Sequence, residues 1–129
     1  MSEKVEDAEL ARAVQTYFDA LYLCDANLLD QVFHPSSSLF DADQGAIFVE
    51  PIASFRQAVA TRVSPASKGQ DREEEIVMID WLSPKCATVK VRLRVHQEVF
   101  VDHLCFVKGG IGWQIVAKVW HLETALDTA

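Results

Sequence analysis

The order of elements legible in the chain predicts an α+β fold, with helices first and a run of antiparallel strands after them. Two observations carry this. Leu10, Val14, Tyr17, Phe18, Leu21 and Tyr22 recur at spacings of three and four, the period of one apolar helix face. Much later, Val89, Val91, Leu93 and Val95 alternate with Lys90, Arg92, Arg94 and His96, the two-residue period of a strand. Helices that precede such strands pack on one face of the sheet. The 129 residues suit one domain, 1–129.

The first helix is expected from Val5 to Leu23. Asp25 suits the N-cap of a short second helix, Ala26 to Val32, which Pro35 and Ser36 to Ser38 then stop. Leu39-Phe40-Asp41 and Ala46 to Val49 read as short strands around the turn signal Asp43-Gln44-Gly45. A third helix follows from Pro51, suited to a first helical position, to Arg62, with Ile52, Phe55, Val59 and Val63 on its apolar side. Ser64 to Arg72 is polar, contains Pro65 and Gly69, and is expected to be the mobile segment at a pocket mouth.

The closing strands are expected at Glu75 to Leu82, Ala87 to His96, Val99 to Lys108 and Trp113 to Leu122. Ser83-Pro84-Lys85 and Gly109-Gly110-Ile111-Gly112 supply two of the turns. In the third of these strands both alternating sets are apolar: Phe100, Leu104 and Phe106 on one face, Val101, Cys105 and Val107 on the other. A second copy of the chain is therefore expected on the outer sheet face. Val101, Cys105, Val107, Val116 and Trp120 are read onto that face, with His103 beside them.

Composition excludes several classes. A net charge of −7 argues against nucleic acid, which rewards basic stripes. The charge is uneven: ten acids and two bases stand up to Phe55, while Lys85 to Arg94 carries four bases. No apolar run is long enough for a membrane helix, and Met1 to Glu9 lacks the order of a secretion signal. Cys24, Cys86 and Cys105 are scattered, which points to reduced, buried thiols in a cytoplasm. Neither a metal nor a cofactor is implied, since no H-x-H or H-x-x-x-H grouping occurs.

Tyr17-Phe18-Asp19-Ala20-Leu21, Asp25, Leu28 and Val32-Phe33-His34-Pro35 resemble the opening of the nuclear-transport-factor-2-like superfamily. Phe100 to Leu104 and Gly112 to His121 resemble its last two strands, and the nearest branch is the lumazine-binding-like group. The resemblance spans about residues 8–122 and implies a cone-shaped roll around a largely apolar pocket for a small organic ligand. It is similar, too, to the ketosteroid isomerases of that fold. That likeness implies oxyanion donors at Tyr17 and Asp102, and a base at Asp41 that moves a proton α to a carbonyl. The pattern departs at Ala42, where the isomerases carry Pro, and at His121, where they are aromatic or apolar.

The residues themselves support part of this and suggest plainer roles for the rest. Asp102 alternates with Phe100, Leu104 and Phe106, an uncommon setting for a carboxyl. Tyr17 also suits a core position, Asp41 a turn, and His34 a helix end. His121 follows Ile115, Ala117 and Val119 in alternation, so it is read inward. The expected pocket set is Tyr17, Leu21, Phe40, Phe55, Phe100, Asp102, Leu104 and His121. Three functions compete: a ligand-binding domain, a ketosteroid isomerase-like enzyme, and a non-catalytic dimeric accessory domain.

Overall fold

A computed structural model describes residues 3–126, with side chains from residue 8 onward. The acidic side chains of Met1 to Asp7 lie outside that description. Helix α1 runs Glu3–Leu23 and buries Leu10, Val14, Tyr17, Phe18 and Leu21, the periodic set. It ends where Cys24 turns left-handed (φ 51°) and the Asp25 amide donates to the Ala20 carbonyl at 2.9 Å. That six-to-one bond closes the helix in the manner of a Schellman end. Asp25 then caps helix α2, Ala26–Val32, accepting from the Asn27 and Leu28 amides at 2.9 and 3.4 Å.

Strand β1, Phe33–Asp41, is longer than the sequence suggests and runs straight through Pro35 and the serines. The reason lies in its pairing. Phe33 pairs with Ile115 and Ser38 with Ala117, so five residues of β1 span what two residues span across the ladder. Pro35 falls in that interruption, where no ladder donor is needed. Strand β2 is Phe48–Pro51, two residues later than expected, and Pro51 sits just before helix α3, Ile52–Thr61. Phe55 and Val59 are the buried side of α3.

The segment expected to be mobile is tied at several points. It contains one 3₁₀ turn, Ala66–Lys68, and the Tyr22 hydroxyl donates to the Gln70 carbonyl at 2.6 Å. Arg72 bridges Asp19 and Glu74 at 2.7 and 2.8 Å and lies over the Tyr22 ring.

Strands β3 (Glu74–Ser83), β4 (Cys86–Val95), β5 (Glu98–Gly109) and β6 (Gly112–Ala125) complete a six-stranded curved sheet of order β2-β1-β6-β5-β4-β3. Only the β1–β6 pair is parallel. The helices cover one face, where Ala87, Val89, Val91 and Leu93 join Leu10, Val14, Leu29 and Val59 in the core. The expected α+β arrangement is what the chain adopts.

One irregularity decides the site. Phe106 pairs with Ile115 but Cys105 pairs with Ala117, so Val116 is an extra residue in β6. Such a bulge reverses which residues face inward beyond it. Trp113 and Ile115 are buried before it, and Lys118 after it, while Val119 and His121 are exposed. The inward reading of His121 and the outward reading of Trp120 are thereby corrected. Phe40 is corrected as well: it pairs with Val49 and Val119, both about half exposed, on the outer face.

Candidate functional site

A cavity of about 110 Å³ lies between the helices and the sheet. Its apolar walls come from Leu21 on α1, Phe55 on α3, Leu93 and Val95 on β4, Phe100 on β5 and Trp120 on β6. Four charged residues also line it: Asp102 and Lys118 on neighbouring strands, Glu50 at the end of β2, and Arg62 just past α3. The lining is thus apolar by count but holds two acids and two bases.

Asp102 is 1% exposed. Its Oδ2 accepts the Tyr17 hydroxyl proton, and the Lys118 ammonium lies 3.8 Å from the same oxygen. Its Oδ1 is buried with no hydrogen-bond partner. Buried polar atoms are satisfied in the great majority of cases, so this acceptor is conspicuous. Lys118, 5% exposed, also stands 4.8 Å from the centre of the Phe55 ring and 5.2 Å from that of Tyr17. Both distances are within cation–π range.

Burial pushes the Lys118 amine below the ordinary lysine range. The Asp102 charge opposes that shift, and the nearby Arg62 reinforces it. Burial, followed by the Asp102 charge, raises the Tyr17 hydroxyl well above its usual value, so it remains a proton donor. That single proton is committed to Asp102.

The sequence-derived set divides accordingly. Leu21, Phe55, Phe100 and Asp102 line the cavity, and Tyr17 stands behind Asp102 through its hydrogen bond. Leu104 is wholly buried among core residues and does not reach the cavity. Asp41 is not brought to it. That carboxylate accepts from the Asp43 amide at 3.2 Å and faces a separate surface cleft with Phe48 and Leu122. Phe100 and Trp120, edge to face at 5.7 Å, line both spaces and stand between them. His121 instead pairs with Asp43 at 2.6 Å on the exposed edge. The Leu122 amide and His121 hold Asp43 below the usual carboxylate range.

Lys118, Trp120, Glu50 and Arg62 were not anticipated. The available signal was a lysine inside the apolar run Ile115-Val116-Ala117-Lys118-Val119-Trp120, which strict alternation assigns to the wrong face. The three thiols are free and half-buried. Among the described residues no group of three or more His, Cys, Asp or Glu could hold a metal, and no helix is long and apolar enough to cross a membrane.

No curated protein matches the chain. Solved structures do. A nuclear-transport-factor-2-like protein of unknown function from Silicibacter pomeroyi superposes with a TM-score of 0.80 at 20% identity, over 95% of this chain and 100% of its own. One from Shewanella baltica gives 0.85 at 16% identity, over 97% and 99%. A ketosteroid isomerase-like protein from Erwinia carotovora atroseptica gives 0.68 at 15%, over 91% and 95%. Identities this low speak for the fold alone. The profile of the family described as "Putative lumazine-binding" matches residues 5–121, nearly the whole chain. That match shows that the chain belongs to this family, and its fold is the one found in nuclear-transport-factor-2-like proteins.

Proposed function

We propose that the chain binds a small organic ligand in the cavity between helices and sheet. The observation that carries this is the cavity itself, in which buried Asp102 and Lys118 share a wall with apolar side chains. A ligand with an apolar body and one polar end would bury the former against Phe55, Phe100 and Trp120 and pair the latter with Asp102 and Lys118. The family description supports a ligand-binding reading. The size of the cavity favours a small compound.

The isomerase reading is the weaker one. Its base, Asp41, lies across the Phe100–Trp120 pair from Asp102, and the Tyr17 proton is already donated.

A thermal-shift screen of small aromatic and carbonyl compounds tests binding. A compound present at a hundred times its Kd should stabilise the fold by about 2.7 kcal/mol, a rise in Tm of roughly 10 °C. Val95→Phe, which projects a ring into the cavity, should abolish the rise. Compounds that shift wild type and this variant equally would place binding elsewhere.

We also propose that two copies meet through the outer sheet face, where Phe40, Val49, Val101 and Val119 are partly exposed. Sedimentation should show a dimer at micromolar concentration, and Val119→Glu a folded monomer. A monomeric wild type would refute the pairing.

A further inference from the structure

We infer that Lys118 is placed to condense with a small aldehyde or ketone held in the cavity, forming a Schiff base at Nζ. The inference rests on the ligand-binding reading above and extends it to a reaction.

The groups around Nζ come from several elements. Asp102 on β5 lies 3.8 Å away, and the Tyr17 and Phe55 rings of α1 and α3 lie about it. Glu50 and Arg62 line the same cavity from the ends of β2 and α3. An amine desolvated among apolar rings and close to a second cation is the setting in which lysine acts as a nucleophile. Its lowered proton affinity agrees with that geometry. A purely structural ion pair would leave neither an open space in front of the amine nor a free oxygen on its partner. Here both are present.

The neutral Nζ attacks the carbonyl carbon, forming a C–N bond while the C=O π pair moves to oxygen. Asp102, its Oδ2 held by Tyr17, has already taken one proton from the ammonium and gives it to that oxygen. It then takes a second proton from nitrogen and returns it to the carbinolamine hydroxyl, whose C–O bond breaks to release water as the nitrogen lone pair forms C=N. In sum, lysine ammonium and carbonyl compound give a protonated imine and one water. A positive charge on nitrogen stands beside Asp102 at the start and at the end. A cavity of about 110 Å³ suits a small carbonyl compound.

The test uses acetone as probe and sodium cyanoborohydride to reduce the imine to a stable isopropyl-lysine. The chain is labelled near pH 7 and mapped by peptide mass spectrometry. Lys118 should be labelled well ahead of the five other lysines, since a lowered amine pKa raises its neutral fraction and the cavity holds the ketone beside it. Lys118→Arg, which keeps a positive charge beside Asp102, should remove that fast label and leave the others unchanged. Acetone occupancy is followed separately through the NMR shifts of Phe55, Phe100 and Trp120. Shifts without preferential labelling of Lys118 would overturn the Schiff base and leave ligand binding standing. Neither shifts nor labelling would count against both.

Discussion

Asp102→Asn should destabilise the domain by about 3–5 kcal/mol at pH 7, the loss expected when one member of a buried ion pair is removed. A domain of this size has roughly 5–15 kcal/mol in all, so the loss is a large share of the total. The cause is Lys118, left charged and 5% exposed with no carboxylate beside it. Replacing both partners, as Asp102→Asn with Lys118→Met, should return most of the lost stability. Neutral groups of similar size fill the same space without a buried charge. Urea denaturation of the two single variants and the double variant measures the coupling.

The same pair sets a pH signature. The folded Lys118 amine lies below its unfolded value of about 10.4, so the unfolded chain binds more protons between the two. Native stability therefore rises with pH across that window. Tyr17 acts the other way: its raised hydroxyl gives stability that is complete below about pH 10 and is lost above it. Removing the Asp102 charge should lower the Lys118 amine further. The penalty of Asp102→Asn should thus shrink between pH 7 and 10, and a penalty that grew would contradict the assignment.

Most of the fold is legible because its elements follow one period each. The α1 stripe from Leu10 to Leu21 and the alternation of Val89, Val91 and Leu93 hold without interruption, and the structure buries those residues as the pattern requires. Asp102 was legible for the same reason, since β5 alternates cleanly from Phe100 to Phe106. The other half of the cluster was not. A bulge is a property of pairing between strands, and nothing local in Ile115-Val116-Ala117 announces it. Lys118 and Trp120 were therefore hidden, and His121 took their place. Glu50 and Arg62 reach the cavity only through the fold that brings the ends of α3 to β5 and β6.

Deleting Val116 should be nearly as damaging as losing Asp102. If the register with β1 is kept, Trp113 and Ile115 turn outward, each forfeiting about 1.5–3 kcal/mol of burial. If the register beyond the hairpin is kept instead, Lys118 turns outward and Asp102 loses its counter-charge. Either way, circular dichroism melts should show a loss of several kcal/mol or no cooperative transition. A deletion variant as stable as wild type would mean that β6 is regular and His121 faces inward after all.

The central claim is that the cavity between helices and sheet is a ligand site with Asp102 and Lys118 at its polar end. Intermolecular NOEs from a bound small molecule, identified by the thermal-shift screen, test it most directly. Contacts are expected to the rings of Phe55, Phe100 and Trp120 and to the Lys118 ε-methylene. Contacts confined to the cleft beside Asp41 and Phe48, or to Val49 and Val119 on the outer sheet face, would contradict it.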